Sequence, residues 1–286
     1  MFVMIGLVTV IFCVFGGYVL GGGHMGVLWM PFEFMIILGA GIGGFLIANS
    51  KNVISHTGKE IGHLFKGPKY KKDNYLEALT MMYQVFKIAK TKGLLALEQH
   101  IEKPEDSPLF QQFPKFYADH HAIAFLCTYL RLMSLGADNP HELVDLMDED
   151  IETMHHEHQS VADAVQAVAD AVPALGIVAA VLGVIHTMGS ISEPPEVLGK
   201  LIGGALVGTF FGILVAYGFM APIASGLKGI YHAEGKYYQM MKTGLIAHLS
   251  GYAPAISVEF ARNVLEPEYR PTFAQVEEAT AALPPA

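Results

Sequence analysis

The chain has 286 residues, of which 52% are hydrophobic and 16% charged, whereas a soluble domain carries about 25% charged residues. Charges nearly vanish from residues 1–50 and 171–227, which excludes a uniformly soluble globule and points to membrane segments. The net charge of −9 argues against nucleic acid as a partner, since a nucleic-acid binder needs a basic face.

A transmembrane helix needs about 20 mostly apolar residues, and residues 1–20 form the first of four such stretches. No basic residue precedes that apolar run and no A-x-A-like site closes it, so it reads as a retained span rather than a signal peptide. Cys13 lies within it and Cys127 far away in a polar stretch; both read as buried thiols, not as a disulfide framework. The second span, 31–50, carries the small-residue pairs Gly39/Gly43 and Ala40/Gly44. Gly39, Gly41 and Gly44 also spell G-x-G-x-x-G, but inside an apolar helix the strand-turn-helix context of a nucleotide site is missing. Glu33 stands near the outer end of this span.

Residues 51–170 carry charge and helical spacing. Residues 75–89 and 116–133 read as helices, and a long helix runs from His141 into the third span. Lys90 and Glu98 frame a short segment whose charges, on composition alone, are ordinary surface charges. Glu152 and His155, followed by His156 and His158, have metal-ligand spacing, but no second such motif is present, so no metal site is expected.

The third span, 172–191, and the fourth, 201–226, hold the densest small-residue patterns. Gly204, Gly208, Gly212 and Ala216 recur at steps of four, and Gly176/Ala180 and Ala179/Gly183 share that step. Such stripes let backbones meet in lipid, either within one chain or against another chain's helix. Pro173 and Pro222 are expected at one depth, near the inner ends of their spans, as a flexible joint. Ionisable groups mark ion pathways in membranes, yet Glu33, Asp170 and His186 all stand toward span ends. Thr209 is the best-placed hydroxyl. If the chain conducts, a partner should supply the carboxylate.

Twelve Lys and Arg lie between Lys51 and Arg131, five follow the fourth span, and Lys200 alone falls between spans three and four. The positive-inside rule therefore puts 51–170, the C-terminal region and both termini in the cytoplasm. The expected fold is an all-α integral membrane protein. Its parts are a transmembrane hairpin (1–50), a large helical cytoplasmic domain (51–170), a second hairpin (171–227) and a cytoplasmic C-terminal region (228–286).

Six stretches resemble the MotA family of flagellar motor stators: 39–49 (GAGIGGFLIAN), 147–152 (MDEDIE), 173–190 (PALGIVAAVLGVIHTMGS), 207–224 (VGTFFGILVAYGFMAPIA), 251–260 (GYAPAISVEF) and 270–278 (RPTFAQVEE). The resemblance covers almost the whole chain. It implies a stator subunit of the bacterial inner membrane, not an enzyme and without a cofactor. Five copies would surround the helices of two MotB chains, which supply the ion-accepting aspartate and anchor to peptidoglycan, and the ring would drive the rotor protein FliG. Pro173 and Pro222 match the family's coupling prolines, Glu98 matches its acidic rotor-contact residue, and Lys90 stands where many members have Arg, losing the planar fork. Ala180, Thr209, Gly204, Gly208 and Gly212 would line the ion pathway and the partner helix. Sodium-type relatives tend to carry a hydroxyl at the position of Ala180, so the alanine favours protons. An ExbB/TolQ-type subunit, with three spans and an outside N-terminus, is the nearest alternative; a membrane metalloenzyme using the histidine cluster is another.

Overall fold

The computed structural model describes residues 2–284; Met1, at the start of the expected first span, and the last two residues of the C-terminal region lie outside them. Among the described residues every regular element is helical, and four helices are long and apolar enough to cross a membrane.

The first, α1 (Phe2–Leu20), buries none of its span within the chain. Cys13 is exposed on it, whereas Cys127 is buried. The expectation of two buried thiols therefore holds only for Cys127, since no part of the α1 span is buried within the chain. After Pro31, whose fixed φ suits a first helical position, α2 runs to Ala48. Ser50 then caps α3 (Lys51–Lys66), accepting from the Val53 N–H at 3.4 Å. Gly67, at φ +83°, ends that helix in a conformation that a side chain would strain.

Helix α4 (Lys72–Lys92) covers the expected 75–89. Between it and α5 (His120–Ser134) come short turns, three of which start on Pro104, Pro108 and Pro114. The expected single helix over 116–133 is thus broken. Asp119 accepts from the Ala122 N–H at 3.2 Å and restarts the chain as α5.

Helix α6 (Pro140–Met188) is unbroken over 49 residues and passes straight through Pro173. The fourth span begins α7 (Pro195–Leu249), which contains a π-helical segment, Leu214–Met220, just before Pro222. Proline lacks an N–H and clashes with the carbonyl four residues back. A wider turn at that place absorbs both faults, as π segments do inside α-helices. Helices α8 (Pro254–Asn263) and α9 (Phe273–Ala281) complete the chain.

The chain divides into two compact units, Met1–Gly67 with Glu157–Ile230, and Pro68–His156 with Tyr231–Ala286. The charged region 51–170 is therefore shared between them: α3 and residues 157–170 belong with the spans. The second unit has a conventional core, with Tyr75, Met82, Phe86, Leu126, Leu130, Met147 and Leu245 all nearly inaccessible. Each such side chain contributes about 1.5–3 kcal/mol of burial. Tyr70 stacks on Tyr237 at 3.8 Å and donates to Asp119 at 2.7 Å. In the membrane unit Ile37, Val172, Ala179 and Ala216 form one buried cluster, and small residues such as Ala162, Ala169, Ala205 and Ala224 are buried elsewhere in it, as expected where lipid offers no hydrophobic driving force and close backbone packing must serve instead.

Candidate functional site

The spans of α6 and α7 meet along their glycines. A Cβ on Gly176 would come within 2.9 Å of the Gly208 carbonyl oxygen and 3.2 Å of the Gly212 Cα. One on Gly212 would stand 3.0 Å from the Val172 carbonyl oxygen, and one on Gly183 would stand 2.8 Å from the Ala205 Cβ. Gly208 and Gly212 are therefore filled by the chain's own third span, while Gly204 is filled by Met30, 2.7 Å from where its Cβ would be. Of the two partners open to the stripe, this face has taken the one within the chain.

Ala180 and Thr209 lie on the same seam and both stay half-exposed. The Ala180 nitrogen is 3.4 Å from a Cβ placed on Gly208, and the Thr209 Cα is 3.4 Å from one placed on Gly176. The structure thus brings these two predicted residues together, at the edge of the buried strip.

Glu33 joins them. Its Oε2 is buried without a hydrogen-bond partner among the described residues. The same oxygen is 3.0 Å from a Cβ on Gly208, and Oε1 is 3.4 Å from one on Gly183. The two glycines make room for a carboxylate between α6 and α7. Sequence reasoning set Glu33 aside for its nearness to a span end. A carboxylate facing a glycine stripe was the signal that could have found it. Asp170 and His186 are exposed and take no part.

The pairing of Val172 with Gly212 and of Gly183 with Ala205 corrects the expected common depth of the prolines. Pro173 is level with Ile213, and Pro222 lies nine residues further from the hairpin tip, about 14 Å at 1.5 Å per residue. Near Pro222, Lys228 pairs with Asp163 at 2.7 Å, joining α6 and α7 just past their spans, on the side away from the hairpin tip. The hairpin tip is centred closer to α6 than the Pro194–Pro195 pair implies.

In the second unit Lys90 and Glu98 are both exposed. Lys90 donates to the Gly251 carbonyl at 3.3 Å, beyond the end of α7. Close by, His248 stacks on Phe86 with ring centres 4.6 Å apart. Burial first, and Lys90 second, hold the His248 imidazole below its ordinary range. Glu98 opens a short helix, Glu98–Glu102, where a negative charge suits the positive helix end. His155 lines a cavity of about 380 Å³ with Glu152, His232 and Lys236. Among the described residues no group of three or more His, Cys, Asp or Glu is placed to hold a metal ion.

Residues 4–93 match the family profile Motility protein A N-terminal, and residues 118–240 match that of the MotA/TolQ/ExbB proton channel family. The chain is 43% identical to motility protein A of Salmonella typhimurium, over 99% of this chain and 96% of that one. Its fold is similar to a solved flagellar MotAB stator complex from Bacillus subtilis, with TM-score 0.72, 28% identity and coverage of 90% and 92%. It is also similar to MotAB of C. jejuni, with TM-score 0.76, 21% identity and coverage of 93% and 96%.

Proposed function

The chain belongs to the motility protein A family, within the MotA/TolQ/ExbB proton channel group, and from that premise we propose how its residues divide the work of a flagellar stator subunit. One observation carries the reading: motility protein A is matched over 99% of the chain, spans and polar regions together. The chain is a stator subunit of a proton channel complex in the bacterial inner membrane. The ExbB/TolQ alternative is not favoured, since the relatives are motility proteins and four helices are fit to span.

MotB, named with its partner in the B. subtilis stator complex, supplies the aspartate that takes up the ion. Ala180 and Thr209, half-exposed on the α6–α7 seam, face that path; the Ala180 side chain brings no oxygen that could coordinate sodium, which supports protons. The glycine seam holds the two helices as one lever, and Pro173 and Pro222 are the places where it yields. Both helices continue unbroken past their spans, so a tilt set up in the membrane is carried along them. Lys90 and Glu98, exposed and of opposite sign, meet the rotor protein FliG. Five copies around two MotB chains fit the open faces: nothing of α1 is buried, and Gly39, Gly43 and Gly44 have nothing within 4 Å of a Cβ. With the basic residues inside, both termini are cytoplasmic.

The test is co-purification of the tagged chain with the neighbouring MotB candidate, and native mass spectrometry of the complex. A ring holding two copies of a single-span, aspartate-bearing partner supports the reading. A chain that purifies alone, or with an envelope-transport partner, overturns it.

A further inference from the structure

Helix α3 presents a basic stripe on the surface of the membrane-spanning unit. Lys51, Ser55, Lys59, Gly62 and Lys66 are all exposed and fall within an arc of about 80° at 3.6 residues per turn. His63 and Phe65 flank the stripe and are exposed too. The acid of this helix, Glu60, lies about half a turn from Lys51 and is half-buried.

The far face of α3 is already occupied. Thr57 and Leu64 are buried, and the Leu64 side chain fills the space beside Gly226, 2.8 Å from where a Cβ would stand. Asn52 donates to Glu157 at 3.0 Å. Docking by that face leaves the lysines turned away from the protein.

Three features separate this stripe from ordinary surface charge. Lys51 is the first residue of the helix, where the positive end of the helix dipole disfavours a cation, and no acid stands in that turn. Only Asn49 and Ser50 separate α3 from the apolar span of α2, so the basic start sits at headgroup level. Between the lysines the surface is low, for a Cβ on Gly58 or Gly62 would meet nothing within 4 Å.

We propose that α3 binds anionic phospholipid headgroups of the cytoplasmic leaflet, with Lys51, Lys59 and Lys66 pairing the phosphate oxygens and Phe65 dipping into the acyl boundary. A lipid fits better than a soluble partner because the stripe begins at the span and belongs to the same compact unit. The inference rests on the orientation given above, with α3 on the cytoplasmic side. Each lysine at such a surface strengthens anionic binding about five-fold.

The experiment reconstitutes the full chain with its MotB partner into nanodiscs of equal parts phosphatidylcholine and phosphatidylglycerol, then measures the ratio of the two lipids retained, by native mass spectrometry. The wild type should be enriched in phosphatidylglycerol. Lys51→Gln/Lys59→Gln/Lys66→Gln should lower that enrichment at least tenfold, and Lys87→Gln/Lys92→Gln/Lys103→Gln, matched in charge, should leave it unchanged. An unchanged ratio in the first variant, or an equal fall in both, overturns the proposal. Where the triple variant does not assemble, Lys59→Gln alone should lower the ratio about five-fold, and no change there overturns it equally. Orientation is checked separately with Ser55→Cys in a Cys13→Ala/Cys127→Ala background and a membrane-impermeant maleimide. Labelling from the periplasmic side overturns the topology and the lipid site together; cytoplasmic labelling without phosphatidylglycerol enrichment overturns the lipid site alone.

Discussion

Gly176 and Gly203 are both glycines inside membrane helices, yet the structure gives them opposite meanings. A Cβ on Gly176 would press on the backbone of Gly208 and Gly212, while one on Gly203 would meet nothing within 4 Å. Gly176→Val should therefore cost on the order of 1–3 kcal/mol and lower the thermal midpoint of the purified complex, whereas Gly203→Ala should hold or slightly raise it. Equal midpoints in the two variants would contradict the close seam. Lys90 and Glu98 pose the opposite case, since both are exposed and the Lys90 bond to Gly251 is a surface contact. Reversing either charge should change stability by less than about 1 kcal/mol but impair swimming, and a compensating reversal on the rotor should restore part of it. Full swimming in both variants would return them to plain surface charge. The glycine spacing was legible in the sequence; which glycine touches backbone was not, because spacing describes one helix and contact needs two.

At the scale of the element, Asp119 decides where α5 begins. Burial alone would raise its carboxyl, but hydrogen bonds from Tyr70, Lys69 and the Ala122 N–H outweigh that and hold it below the ordinary 3.8. A carboxyl depressed on folding contributes stability that is complete above the unfolded value and lost as pH falls through the folded one. Asp119→Asn should cost on the order of 1–3 kcal/mol at neutral pH and flatten the acid unfolding curve below pH about 4; amide exchange across α5 reads both. A curve as steep as that of the wild type would show that other carboxylates govern acid unfolding. Pro222 is the second element-level decision. With Pro222→Ala the missing N–H returns, and the π segment Leu214–Met220 should tighten to α-helix, giving slower amide exchange there. Swimming should stop in this variant and in Pro173→Ala while the complex still assembles, and normal swimming in both would end the yielding-joint reading. A proline marks a fault in a helix from sequence alone. Its depth does not follow from counting, because the seam slides the two helices and places Pro173 about 14 Å closer to the hairpin tip than Pro222.

At the scale of the molecule, Glu33, from the first turn of α2, is the carboxylate brought between Gly183 and Gly208, and in the proposed function uptake of the ion is left to the partner's aspartate. Vesicles containing the chain alone should therefore take up protons no faster than empty ones, and uptake should appear only with the aspartate-bearing partner. Rapid uptake by the chain alone would move the ion site to Glu33. The four spans, the long helix entering the third and the family were all determined by the sequence itself. Apolar run length and helical period are properties of consecutive residues, and lipid enforces them without reference to any neighbour. Only the tertiary structure decided that the glycine stripe is filled from within the chain, that Glu33 enters the seam, and that α3 joins the spans instead of the second unit. Each of these is a choice between faces of a helix, made by what packs against it, and a one-dimensional pattern carries no record of that partner.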